Sequence, residues 1–209
     1  MPNWCNNSVT ITHKDPAKIT ALADAFAEAR FCEAVIPTPE CLTRDGAATH
    51  GGANAEEYDR IRAENRAETG YESWYDFAVA RWGTKWDVGG ADATLEIDDN
   101  GLGFHASFDS AWSPPCGVYE ELVEQGYEVV GYYYESGMGF VGKWHNGNDL
   151  CYDYSGLNSE TVRGYIGDEL DDYFGISESM AEYEAENEET EELTEWIRDG
   201  ADKRNLETV

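Results

Sequence analysis

Apolar and polar residues alternate along NNSVTIT, where Val9 and Ile11 stand two apart, and that period predicts a first strand. The period then lengthens. Asp15 followed by Pro16 reads as a helix start, and Ile19, Leu22, Ala23 and Phe26 recur at the spacing of one helical face. FCEAVIPTPECL, broken by Pro37 and Pro39, predicts a short extended piece. Helical spacing returns in YESWYDFAVARWG: Trp74, Phe77, Ala78 and Arg81 share a face, and Gly83 ends the run. Next comes a hairpin. Ala93, Leu95 and Ile97 alternate on one strand, Asn100-Gly101 makes the turn, and Leu102, Phe104, Ala106 and Phe108 alternate on the return, with His105 on the opposite face. Ser113 is placed to cap a helix opened by Pro114 and Pro115 and carried by Val118, Leu122 and Val123. YEVVGYYYES, GMGFVGKWHNG and DLCYDYS predict three more strands, with a turn at Asn146-Gly147.

Strand, helix, hairpin, helix, strand is the order of a split βαβ unit. It predicts an α+β, ferredoxin-like fold: an antiparallel sheet with helices on one face. The ferredoxin-like domain is expected over residues 1–155, with a Trp-rich insertion at about 31–90. Within the insertion, the first half of residues 43–70 reads as a Gly/Ala loop and the second half as a short exposed helix. Residues 156–209 are expected to form an acidic tail, helical or partly disordered. Residues 159–209 carry 17 acids against 4 bases, and EYEAENEETEE alone has seven acids, too many to pack on itself. SETVRGYIGDELDDYFG predicts a helix with Val162, Ile166 and Leu170 on one stripe, and LTEWIRDG offers a small apolar stripe of Leu193, Trp196 and Ile197.

Charge changes the picture more than length does. The chain has 209 residues, 43 acidic and 14 basic, for a net charge of −29. A field of that sign disfavours direct binding to nucleic acid or an anionic membrane and favours a basic partner. A salt-adapted, Lys-poor surface would produce the same composition. No apolar run reaches the ~20 residues of a membrane span, and the N-terminus has no secretory pattern. Cys5, Cys32, Cys41, Cys116 and Cys151 are scattered and unpaired in sequence, which predicts free thiols in a cytoplasm. No cofactor, metal site or catalytic residue is expected: GxSxG, HExxH, Walker and GxGxxG patterns are absent. A two-histidine site from His105 and His145 is the weak exception.

WYDFAVARWGTKWD concentrates aromatics and cations in an otherwise acidic chain. Trp74, Trp82, Lys85 and Trp86, with Trp112 from AWSPP, form one candidate cluster. It reads in two ways. The tryptophans plug the open end of the sheet, the favoured reading, or they form an aromatic-basic shelf for a nucleotide or peptide. Lys85 is expected to stack on an indole or to pair with Asp87.

MPNWCNN, WYDFAVARWGTKWD, AWSPP and GMGFVG, in that order, resemble the YubB-type ferredoxin-like family of phages, plasmids and integrated mobile elements. The resemblance covers about Met1 to Tyr154 and implies the fold and a mobile-element setting, with no catalytic residues to carry over. Together with the charge it leads to a specific expectation. The chain is a non-enzymatic interaction protein of the host cytoplasm that imitates nucleic-acid phosphate and inhibits a basic, nucleic-acid-binding defence protein of restriction or CRISPR type. Asp98, Asp99 and Asp109 near the hairpin, and Glu160, Asp168, Glu169, Asp171 and Asp172 in the tail, are the expected contact residues. Asp168, Asp171 and Asp172 would share one helical face. A small-ligand domain built on Trp82, Lys85 and Trp86 is the alternative, and a divalent-ion enzyme using clustered carboxylates comes third.

Overall fold

The computed structural model describes residues 3–43 and 55–190, in two compact units, Met1–Cys151 and Tyr152–Val209. The first is α+β. Its antiparallel sheet is built from β1 (Trp4–Thr12), β2 (Thr94–Ile97), β3 (Gly103–Ala111), β4 (Glu128–Glu135), β5 (Phe140–His145) and β6 (Asn148–Asp153, whose last two residues open the second unit), in the order β2-β3-β1-β4-β5-β6. β1 lies between β3 and β4 and is antiparallel to both; β2 pairs with β3 and β5 with β4. The turn between β5 and β6 has positive φ at both Asn146 and Gly147, the geometry that favours this dipeptide in a tight hairpin.

Alternation decides which strand residues are buried. Val9 and Ile11 of β1, Phe104, Ala106 and Phe108 of β3, and Val129 of β4 join one core with Ile19, Leu22 and Phe26 of α1 (Pro16–Ala27) and Val118, Tyr119 and Leu122 of α5 (Cys116–Glu124). The Phe26 ring meets Phe31, Phe104 and Phe108 at centroid distances of 5.7, 6.3 and 5.5 Å. The Asp15 side chain accepts from the Ala17 amide at 3.0 Å, with Pro16 opening α1. The same alternation turns Asn7 inward. Its amide nitrogen donates to the Cys5 carbonyl at 2.7 Å and the Ser110 hydroxyl at 2.8 Å, tying β1 to β3 inside the core.

Two local expectations change. FCEAVIPTPECL is not extended: it holds the short helix α2 (Phe31–Val35) and a 3₁₀ turn (Glu40–Thr43). The cap of α2 comes from far along the chain, for the Asp87 carboxylate accepts from the backbone amides of Cys32 at 2.7 Å and Glu33 at 3.0 Å. Ser113 is not the cap of α5. Its hydroxyl donates to the Gly83 carbonyl, and its own carbonyl accepts from the Ser110 hydroxyl. The AWSPP corner and the WGTKWD turn are thus locked together. The fit is tight: a Cβ at Gly117 would lie 2.2 Å from the Arg81 carbonyl oxygen.

Between α2 and β2 the described residues form α3 (Ala55–Thr69), which is exposed along most of its length, and α4 (Trp74–Phe77), which continues as a π-helical turn over Ala78–Trp82. Ser73 caps α4, and Gly83 ends the turn with φ of 90°. The expected Gly/Ala loop falls mostly outside the described residues.

In the second unit, the single helix expected over SETVRGYIGDELDDYFG is two, α6 (Ser159–Ile166) and α7 (Asp168–Phe174), parted at Gly167 with φ of 89°. Residues 176–190 are helical as well. Asn158 and Thr161 form a reciprocal capping box at the start of α6, and Val162, Ile166, Leu170 and Ile176 are buried. The Leu193, Trp196 and Ile197 stripe lies outside the described residues. Among those residues, no helix is long and apolar enough to cross a membrane.

Candidate functional site

The turn after Gly83 sorts the tryptophans. Trp82 points inward: it is 7% exposed, its indole N–H donates to the Ile36 carbonyl at 2.9 Å, and its ring stands edge-on to Phe77 at 6.2 Å. Trp82 is a plug. Trp86, expected to be one too, is 38% exposed. The reason is backbone geometry. The left-handed Gly83 reverses the chain, Thr84 takes the inward place with its hydroxyl on the Ala111 carbonyl at 3.0 Å, and Lys85 and Trp86 are left at the surface.

Lys85 does stack. Its ammonium lies 4.5 Å from the Trp86 ring centroid, 5.1 Å from Trp112 and 5.8 Å from Tyr75. A cation shared by three π faces is held more firmly than a lone surface lysine. It does not pair with Asp87, whose carboxylate is occupied by the α2 amides and by Val88. Burial raises the Asp87 pKa above the ordinary value, and the backbone amides it accepts from oppose that rise. Trp112 adopts φ of 73°, an unusual conformation for an aromatic residue, with its amide on the Asn3 carbonyl at 2.9 Å. Tyr75 meets Trp112 and Trp74 edge-on, each at 6.1 Å. Trp4 joins the cluster from β1, 5.9 Å from Trp86. Trp4, Tyr75, Trp86 and Trp112 are all substantially exposed, so the cluster gathers large rings at the surface.

Beside Trp4 and Trp86 opens a recess of about 390 Å³. The two rings form part of its wall, and Asp87, Asp92 and Asp109 bring three carboxylates to it. β2 begins at Thr94, opposite Ser107, so the last residues of β3 have β1 on one side and no strand on the other among the described residues. The recess occupies that gap. The sequence pointed to Trp86 and Asp109, and to Asp87 only as a partner for Lys85; Trp4, Tyr75 and Asp92 were not among the expected site residues. The signal for Trp4 was present in MPNWCNN.

The expected acidic contacts separate into two groups. Asp98 and Asp99 are exposed at the hairpin tip, and Asp109 is exposed near the other end of β3. Asp109 lies six positions along β3 from Gly103, where the strand begins, so about 20 Å of strand lies between the groups. Glu96 and Asp92 are exposed along the same edge. Among the described residues, no Lys or Arg forms an ion pair with Asp92, Glu96, Asp98, Asp99 or Asp109. Asp109 accepts only a long bond, 3.3 Å, from Asn6.

The tail acids differ. Arg163 reaches Asp168 at 2.7 Å, Asp171 at 2.8 Å and Asp172 at 2.7 Å. Asp171 is buried, and the Ser177 amide and hydroxyl also bind it. The three carboxylates do share a face, as expected, but they surround a cation, and Asp171 is withdrawn from the surface. Glu160 and Glu169 are exposed in the same unit.

The two-histidine site is ruled out by strand order. β1 and β4 lie between β3, which carries His105, and β5, which carries His145, and strands about 4.8 Å apart put the two some 14 Å from each other. His105 instead sits against the Ser8 and Thr10 hydroxyls. The described residues hold no cluster able to bind a metal. The five cysteines are unbridged, and burial raises Cys5 to about 12 and pushes Cys32 and Cys116 up too, which keeps these thiols protonated and unreactive near neutral pH.

No protein-family model matches the chain, and neither does any curated protein sequence. Among solved structures, the chain is similar to the crystal structure of protein Api92 from Yersinia pseudotuberculosis, of the DUF1281 family, over 73% of this chain and 95% of that one, at 13% identity and a TM-score of 0.39.

Proposed function

We propose that this chain is a non-enzymatic interaction protein whose carboxylates stand in for nucleic-acid phosphate on a basic, nucleic-acid-binding partner. The observation that carries the reading is the acidic edge along β2 and β3: among the described residues, Asp92, Glu96, Asp98, Asp99 and Asp109 form no ion pair with a Lys or Arg. Residues two apart on an extended chain, such as Glu96 and Asp98, are spaced by about 6.8 Å, close to the ~7 Å between successive phosphates of one strand. The weight of the reading moves from the tail to this edge, because Arg163 engages Asp168, Asp171 and Asp172 and partly offsets their charge, and Asp171 is buried. The arrangement of the first unit is inferred to be ferredoxin-like. The run β2-β3-β1-β4, with α1 leading out of β1 and α5 joining β3 to β4, supports a split βαβ core extended by β5 and β6. With the YubB-type resemblance, this favours a phage or plasmid setting and a host-defence enzyme as the partner.

The test is a pull-down from host lysate at low and moderate salt, followed by competition with DNA or RNA. The partner should be basic, lost as salt rises, and displaced by nucleic acid. Glu96→Gln, Asp98→Asn and Asp99→Asn together should keep the fold and weaken binding about tenfold or more. Binding that ignores both excess nucleic acid and this triple change would reduce the acidity to a salt adaptation.

A further inference from the structure

The recess between Trp4, Trp86, Asp92 and Asp109 is too well furnished to be a by-product of packing. Exposed indoles cost solvation, and no helix or strand of the described residues closes over these two. Trp86 is fixed from several sides: Lys85 holds its ring through a cation–π contact, and the following residue, Asp87, is anchored to α2. The backbone below is fixed as well. A Cβ at Gly89, another lining residue, would lie 2.1 Å from the Phe26 carbonyl oxygen. A wall this constrained is preorganised, and preorganisation lowers the entropy cost of binding.

Its chemistry selects one kind of occupant. The recess lies near the lower end of the ~300–1,000 Å³ typical of small-ligand sites, which suits a single side chain better than a nucleotide. An anion is opposed by the three aspartates that line it, Asp87, Asp92 and Asp109, and by a chain of net charge −29. A neutral ring would leave the carboxylates without a use. A planar cation uses both features, since guanidinium stacks on indole and presents donors in a fork to carboxylate oxygens. Lysine would stack less well and could not divide its donors in a plane between two acids. Asp87 contributes charge more than acceptors, because three backbone amides already occupy its oxygens.

We propose that this recess is a socket for an arginine side chain of the basic partner. The proposal rests on the interaction reading above and names its anchor: the acidic β2–β3 edge steers the partner, and the socket takes one guanidinium between the indoles and Asp92 and Asp109. Buried Arg anchors beside aromatic rings are the residues that dominate binding energy at interfaces.

The test uses the full chain and a small probe. N-acetyl-L-arginine amide is titrated while the indole N–H signals are followed by NMR. Saturable shifts of the Trp4 and Trp86 signals are expected, with Trp82 unmoved. The neutral isostere N-acetyl-citrulline amide should bind about tenfold more weakly or worse, in line with the loss of a charge-assisted pair. Asp92→Asn with Asp109→Asn should weaken the arginine probe by a similar factor while leaving the Trp82 signal in place, which verifies the fold. Unsaturated shifts, equal binding of the citrulline probe, equal binding of N-acetyl-lysine amide, or full binding by the double variant would each overturn the socket. The outcomes are separable from those of the function test. If the arginine probe binds but the partner ignores competing nucleic acid, the phosphate reading fails and the socket stands. If the partner is displaced by nucleic acid but the probe does not bind, the socket fails alone.

Discussion

Trp82→Ala and Trp86→Ala test the division of the WGTKWD turn into a buried and a presented half. Both substitutions remove the same side chain four residues apart, so composition predicts equal effects. The structure predicts unequal ones. Trp82 is almost wholly buried, donates to the Ile36 carbonyl and packs on Phe77. Its truncation leaves a large cavity and should cost about 3–5 kcal/mol. Trp82→Phe should fall between, keeping much of the apolar burial but leaving the Ile36 carbonyl unpaired, a loss of about 1–3 kcal/mol. Trp86 is partly exposed, and its removal forfeits one cation–π contact with Lys85, about 0.5–1 kcal/mol, and one ring pair with Trp4, about 0.5–1.5 kcal/mol. Together these come to about 1–2.5 kcal/mol. The assay is urea unfolding followed by tryptophan fluorescence. Six of the seven tryptophans lie in the first unit, so the signal reports mainly on it. A Trp86→Ala loss equal to or larger than that of Trp82→Ala would refute the assignment of plug and shelf.

Glycine positions give a paired prediction: Gly117→Ala should destabilise strongly, because its Cβ would meet the Arg81 carbonyl at 2.2 Å, whereas Gly164→Ala inside α6 meets nothing within 4 Å and should stabilise by about 0.5–1 kcal/mol, both read from thermal melts. For Asp171, burial works to raise the carboxyl pKa, but the Ser177 hydroxyl and amide and the Arg163 guanidinium outweigh it and hold the value below the ordinary 3.8. A depressed carboxyl pKa gives stability that is fully present above the unfolded value and lost as pH falls through the folded one. The stability gap between the parent and Asp171→Asn, followed by far-UV circular dichroism, should therefore persist at neutral pH and close below about pH 3.8; a gap that widens on acidification would sink this account.

The locally encoded elements were legible without coordinates. The alternation in NNSVTIT, the Asp15-Pro16 start of α1, the Asn100-Gly101 and Asn146-Gly147 turns and the Gly83 stop are each written in residues at most a few positions apart. Chain physics at that range depends on backbone sterics, capping and period, which composition carries directly. The candidate site was only half legible. Trp86, Lys85 and Asp109 stood out by type and Trp4 lay within the MPNWCNN motif, but Asp92 is ordinary as sequence, and Trp4 and Asp92 join the site only where β1 and the segment before β2 come beside the WGTKWD turn. The failures share a cause. α2 is helical because Asp87 supplies amide acceptors from 54 and 55 residues away. Trp82 and Trp86 differ because Gly83 turns the chain against Ala111 and Ser113 of a distant corner. Asp168, Asp171 and Asp172 are not an open phosphate-like row because Arg163 folds among them. Periods, turns and the excess of negative charge are properties of neighbouring residues and of composition, and they can be read along the chain. Tertiary structure decided which rings are buried and which acids keep their charge uncompensated, because burial and ion pairing depend on through-space neighbours that no local pattern records.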